Sequence, residues 1–245
     1  MASSRAARTN SARAAVDDTP PQAFLPTRVF FVSGTGTHEL ERVALQHAMR
    51  AAGVADSNLV KVSSVIAPGC RIISEQEGRA LLRPGNIVHA VIAEAQTQQP
   101  HQRVSTALAW AVPERKGVPG YIAELEEQMA MGKSEQTATE QVGEEVLEIM
   151  AMRLNAKIDA KALWAKRGRS RTVRIGGVTV RVGSVSVSCV GPEERSGKQM
   201  TAAAFIAAIY LWCINDWRAR PILRPLLDVA LRSRSLQRVP RSRGS

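Results

Sequence analysis

The sequence predicts an α+β domain in which strands build the core and helices lie over them. Three observations carry this. An apolar strand, Val29 to Ser33, is followed by a turn, a helical stretch and a second strand, Leu59 to Val65. A period of two runs from Val173 to Val187, punctuated by glycine pairs. One long stretch, Ser134 to about Leu154, keeps a helical period with an acidic outer face.

In chain order, residues 1–26 are rich in Ala, Ser, Arg, Thr and Pro without periodicity, which predicts a flexible arm. Order is expected from Thr27. After the first strand, Gly34-Thr35-Gly36-Thr37 reads as a strand-to-helix turn, and Leu40, Val43, Ala44, His47 and Ala48 then share one helical face. Glu39 lies where the helix dipole favours an acid, and Gly53 suits the helix stop. Asn86 to Ala95 and Val104 to Val112 are apolar runs separated by a polar turn. Ser134 is the expected helix cap, with Val142, Val146, Ile149 and Met150 inward and Glu140, Glu144, Glu145 and Glu148 outward. Val173, Ile175, Val178, Val180, Val182, Val185 and Val187, with turns at Gly176-Gly177 and Gly183-Ser184, predict a β-meander. Met200 to Ile214 is a last buried strand or helix, and no internal repeat is evident. The expected organisation is an arm at 1–26, one domain at 27–217 and an arginine-rich tail at 218–245.

Composition narrows the function classes. Of 245 residues, 44% are hydrophobic, enough for one substantial core, which excludes disorder throughout. Three dispersed cysteines (Cys70, Cys189, Cys213) exclude a disulfide scaffold and fit a reducing, cytoplasmic compartment. Neither they nor the four histidines have metal-ligand spacing. Met200 to Ile214 is too short an apolar run to span a bilayer, which takes roughly 20 residues, so no membrane partner is expected. The net charge of +11 invites a nucleic-acid reading, but its distribution argues against one. From Arg218 to Ser245 eight arginines face one acid, leaving most of the domain near neutral. A second basic run, Lys166 to Arg174, reads as a loop between domain halves and lacks the aromatic residues that base stacking uses.

Two segments could carry chemistry. The Gly34–Thr37 turn has the place of a dinucleotide-binding loop, but Glu39 stands where the fingerprint needs its third glycine, and a P-loop lysine is missing. It is read as an ordinary turn. In Asn58-Leu59-Val60-Lys61-Val62-Ser63-Ser64-Val65 two hydroxyls stand together inside an apolar strand. A serine pair alone is usually inert, and no histidine nearby suggests a hydrolase triad.

The segment gains meaning from its company. Val32-Ser33-Gly34-Thr35-Gly36-Thr37-His38, Ala51-Ala52-Gly53-Val54, Asn58 to Ser64, Ile72-Ile73-Ser74-Glu75, Glu77-Gly78, Leu82-Arg83-Pro84-Gly85 and Gly120-Tyr121-Ile122-Ala123-Glu124 together resemble the pyruvoyl-dependent arginine decarboxylases. The resemblance fades after about residue 165, returns weakly over Val185 to Leu211, and leaves out both the arm and the tail. It implies a four-layer αββα sandwich, a trimer with active sites between neighbouring protomers, and conversion of arginine to agmatine and CO2. It implies a proenzyme that cuts itself at Ser63–Ser64. The Ser64 hydroxyl would attack the Ser63 carbonyl, Asn58 would stabilise the oxyanion, and elimination followed by hydrolysis would leave a covalent pyruvoyl group derived from Ser64. That carbonyl would serve as the electron sink of the reaction. Glu124 would reprotonate the product; near neutral pH that role calls for a poorly solvated carboxyl, whereas beside Glu126 and Glu127 a plain loop acid is the bland alternative.

Ser63 and Gln46 are read as substrate contacts, with one departure. The family's acid for the substrate guanidinium falls where this chain has Gln46, and a neutral amide cannot make the charge-assisted, two-pronged contact. Glu39 and Glu41 are nearby in sequence. Two other readings stay open: a decarboxylase of another amino acid, or a non-enzymatic family member binding a partner or RNA through its basic tail. Self-cleavage separates the last from the others.

Overall fold

Two five-stranded sheets lie face to face in the computed structural model, which describes residues 25–125, 130–166 and 171–212. The first sheet has the order β2-β5-β10-β1-β4, with β1 at Arg28–His38, β2 at Asn58–Lys61, β4 at Arg71–Ile72, β5 at Ile87–Thr97 and β10 at Thr201–Leu211. The second has the order β3-β7-β6-β9-β8, with β3 at Val65–Ile66, β6 at Arg103–Pro113, β7 at Gly120–Glu124, β8 at Thr172–Ile175 and β9 at Val178–Val190. Helices α1 (Glu41–Ala51) and α2 (Glu75–Leu81) cover the first sheet; α3 (Glu135–Arg153) and α4 (Ala160–Lys166) cover the second. This is the αββα sandwich that the family resemblance implies. Four layers need three apolar interfaces, and each has its own buried cluster.

Strand β10 shows how alternation serves two interfaces at once. Ala203, Phe205, Ala207 and Ile209 face α1, while Ile206, Ala208 and Tyr210 face the second sheet. Buried on both sides, the strand reads as a continuous apolar run, so its period does not distinguish strand from helix. Only its first thirteen expected residues can be judged: Thr201–Leu211 is strand, and Cys213 and Ile214 lie outside the described residues. Likewise the arm up to residue 24 and the whole tail from 218 lie outside them.

Several expectations hold closely. Ser134 caps α3 by accepting from the Thr137 N–H, and Gly53 ends the α1 turn with φ of +74°. Both apolar runs, β5 and β6, are strands, though they pair in different sheets. On α3 the inward face is Val142, Val146, Leu147 and Met150, with Ile149 only half-buried.

Others are corrected. Gly34-Thr35-Gly36-Thr37 is not a turn; it is the second half of β1, paired through His38 with β10. Its glycines serve packing. A Cβ on Gly34 would sit 2.3 Å from the Ala48 carbonyl oxygen, and one on Gly36 would sit 2.3 Å from that of Ala44. Helix α1 therefore rests directly on strand backbone, with Ala44 and Ala48 completing the contact, while Leu40 and His47 are exposed. Gly36→Ala should destabilise the domain by about 1–3 kcal/mol through this overpacking, read as a lower denaturant midpoint at unchanged slope. Gly183-Ser184 likewise lies inside β9, where the Trp110 ring covers Gly183, so Thr172 to Val190 is one hairpin about Gly176-Gly177 and not a meander. The basic run from Lys166 joins α4 to β8 within the domain, not two halves of it; residues 167–170 are outside the described set.

The last correction bears on chemistry. Leu59 to Val65 is not one strand. It breaks after Lys61 and resumes at Val65 in the other sheet, so Ser63-Ser64 is where the chain crosses between sheets.

Candidate active site

Hydrogen bonds mark the crossover step by step. Val62 still donates to the Ala90 carbonyl of β5, 3.0 Å away, in the first sheet. Two residues later the Ser64 carbonyl accepts from the Ile122 N–H of β7 at 2.8 Å, in the second. Val65 and Ile66 then pair with Tyr121 and Gly120. Between these anchors the Val65 N–H donates to the Ser63 carbonyl oxygen at 2.9 Å, closing a three-residue turn about Ser64. The Ser63 side chain is exposed, whereas Ser64 is only 7% exposed.

The buried Ser64 hydroxyl is not idle. Its Oγ donates to Glu124 Oε2 at 2.7 Å, a distance typical of a charge-assisted bond to a carboxylate. Glu124 is the last residue of β7, paired with Leu108 of β6 and half-buried. Strand register therefore brings together two groups sixty positions apart. From the opposite sheet Tyr210 donates its hydroxyl to the Val65 carbonyl at 3.1 Å. Burial pushes its phenol far above the ordinary value, with Cys70 and Glu124 adding to the shift, so it acts as a neutral donor. Burial also pushes the Cys70 and Cys189 thiols up to about 11, which leaves neither a nucleophile near neutral pH.

Ser64 and Glu124 open onto a cavity of ≈ 450 Å³ whose wall includes Lys61, Glu94, Tyr121 and Glu145. Sequence reasoning did not single out Lys61, Glu94 or Glu145. Glu94 carried a signal, being the one acid in the apolar run of β5. Glu145 carried none, because on the acidic face of α3 it looks like any solvated residue.

Two expected site residues lie apart from this pair within the chain. Asn58 is exposed at the start of β2 and its Nδ2 donates to the Gly85 carbonyl at 3.1 Å. Gln46 is exposed on α1, against the Met49 sulfur, and does not line the cavity. Glu39 is ion-paired with Lys198 at 2.8 Å and Glu41 accepts from Gln98, so neither acid faces Ser64. Among the described residues no three His, Cys, Asp or Glu are grouped to hold a metal ion, and no helix is long and apolar enough to cross a membrane.

The chemistry open to this arrangement is narrow: an oxygen nucleophile, a carboxylate to take its proton, and an adjacent peptide carbonyl already polarised by a donor. Comparison with known proteins gives the same direction. The family model described as pyruvoyl-dependent arginine decarboxylase matches residues 28–207. A protein of that name from Methanococcoides burtonii is 36% identical over 145 residues, 59% of this chain and 79% of its own. A namesake from Nitrosopumilus maritimus is 29% identical over 184 residues, 75% of this chain and 96% of its own. A protein named pyruvoyl-dependent arginine decarboxylase 2 from Archaeoglobus fulgidus reaches 45% identity over 102 residues, 42% of this chain and 65% of its own.

Proposed function

This chain belongs to the pyruvoyl-dependent arginine decarboxylase family, and we propose that it converts L-arginine to agmatine and CO2 using a pyruvoyl group made from its own Ser64. The observation that carries the proposal is the 2.7 Å contact from Ser64 Oγ to Glu124, set beside the Ser63–Ser64 bond and opening onto a cavity. These residues fit the group. A pyruvoyl residue at 64 occupies no more space than serine, keeps the carbonyl that Ile122 holds, and leaves its neighbour Val65 fixed in β3.

Maturation is an intramolecular acyl shift. Ser64 Oγ forms a bond to the Ser63 carbonyl carbon while its proton passes to Glu124 Oε2. The π electrons move onto the Ser63 oxygen and return as the Ser63–Ser64 C–N bond breaks, the nitrogen taking up a proton. Loss of the Ser64 α-proton then expels the Ser63 carboxylate as the end of chain 1–63 and leaves a dehydroalanine at 64. Water hydrolyses the imine tautomer of that residue to the ketone, releasing ammonia and giving chain 64–245. In turnover the pyruvoyl group supplies an electron-accepting carbonyl. Glu124, half-buried at the end of β7 and in contact with residue 64, is the group placed to deliver a proton where carbon dioxide has left. Denaturing mass analysis tests the proposal. It expects two chains, the larger with a blocked N-terminus, and CO2 release from arginine; an intact chain with serine at 64 sinks it.

The trimer, with each active site completed by a neighbour, belongs to the same proposal. Gln46 supports it, because this side chain is remote from the cavity of its own protomer and needs another copy's site to meet substrate. The catalytic domain is assigned to 27–217, apart from the arm and tail, and the compartment to the cytoplasm.

Gln46 also favours a second reading, a decarboxylase of another amino acid. A charged hydrogen bond lost at a partly buried site costs about 1.5–3 kcal/mol, roughly 10- to 150-fold in affinity. Gln46→Glu should therefore lower KM for arginine by about that factor and leave citrulline and glutamine unaffected. CO2 release from arginine, lysine, ornithine, citrulline and glutamine is the measurement. If arginine already leads by a wide margin and the substitution changes nothing, the guanidinium is held elsewhere, and Glu94 and Glu145 on the cavity wall become the acids to replace next.

A further inference from the structure

Self-cleavage turns the Ser63 carbonyl oxygen into an oxyanion, and an oxyanion is best stabilised by a donor already in place. Within one chain the Asn58 amide is given to the Gly85 carbonyl. One donor does reach the Ser63 oxygen: the Val65 N–H, at 2.9 Å. We propose that the backbone N–H of Val65 is the oxyanion donor of the maturation step. The inference rests on the maturation reading above and adds the group that stabilises its charge.

Three features make this N–H more than a passing contact. It shares a planar peptide unit with the Ser64 carbonyl, and the Ile122 N–H holds that carbonyl at 2.8 Å. Fixing one end of a rigid plane aims the other. The next carbonyl, of Val65, is held in turn by the Tyr210 hydroxyl, so the donor's residue is tied to both sheets. Ser64, at the centre of the turn, is absent from the residues of positive φ, so the turn has the relaxed inverse form and stores no backbone strain. When Oγ attacks, the negative charge grows on the oxygen that Val65 N–H already faces, while the proton passes to Glu124.

The test removes the N–H and keeps the side chain. Val65 is exchanged for its hydroxy-acid analogue, 2-hydroxy-3-methylbutanoic acid, by nonsense suppression, and cleavage of the newly made full-length chain is followed by denaturing mass analysis. Val65→Ala, which keeps the N–H, Val65→Pro, which lacks it, and Asn58→Ala run alongside. The expected result is cleavage slowed about 10²–10³-fold in the hydroxy-acid and proline chains, the usual weight of one oxyanion donor, and within a few-fold of wild type for Val65→Ala. If proline prevents folding, the hydroxy-acid chain carries the test alone. Wild-type cleavage in the hydroxy-acid chain overturns the proposal, and a halt in Asn58→Ala beside it assigns the oxyanion to Asn58. A wild-type chain that never cleaves is a separate result, which removes the maturation reading itself.

Discussion

Ser64→Ala should leave the protein as one uncut chain of full length, with no decarboxylation from any amino acid. Alanine has no oxygen to attack the Ser63 carbonyl and no precursor of a pyruvoyl group. The fold should persist, because Ser64 contributes its backbone to the Ile122 pairing and its side chain only to Glu124. The loss is therefore all or none in cleavage and small in stability, with a lost hydrogen bond costing about 1 kcal/mol. Ser63→Ala is the informative contrast. Its side chain is exposed and its carbonyl is retained, so cleavage should go on. Cleavage of Ser64→Ala, seen as two masses, would show that another residue is the nucleophile.

Glu124→Gln should lower turnover by about 10²–10⁴-fold, the usual weight of general acid catalysis. An amide matches the carboxylate in size and can still accept from Ser64 Oγ, so cleavage should be slowed yet reach completion on long incubation. The two activities are then separable. The measurement is CO2 release per mole of cleaved chain, which corrects for any residual proenzyme. Near wild-type turnover in a fully cleaved Glu124→Gln protein would take the residue out of the mechanism.

What the sequence disclosed depended on whether the signal was local. The α3 helix was legible down to its Ser134 cap, because a capping serine and a 3.6-residue period are properties of neighbouring positions. The β8–β9 hairpin was legible in its turn but not in its length, because Gly183 answers to Trp110 on another strand. Gly34 and Gly36 misled for the same reason: glycine as a turn and glycine under a helix look alike until the helix is placed. The break at Lys61 was hidden, since Leu59, Val60, Val62 and Val65 read through it as one strand and the change of sheet is a tertiary event. For the site, Ser63, Ser64 and Glu124 were found through resemblance to a family. Nothing in spacing puts residue 64 against residue 124; antiparallel register between β3, β7 and β6 does. Of the cavity acids, Glu145 stayed invisible because exposed carboxylates are common, and Glu94, though the one acid of its apolar run, gave no local sign that the two converge.

The position of β1 has a consequence for the life of the protein after cutting. Residues 1–63 would become a separate molecule, yet β1 runs in the first sheet between β10 and β4, paired with β10 over its full length, and β2 lies on β5. A loop that closed cheaply within one chain becomes an encounter between two. The native arrangement is then easily reached once, by the newborn polypeptide, and costly to reach again. Once cut, each pair of chains would carry a record of having folded before cleavage, held by a barrier to separation more than by a favourable reassembly. Under the proposed maturation such a protein would age in one direction: born inactive and able to refold, it would work in a form that, once lost, must be replaced by synthesis.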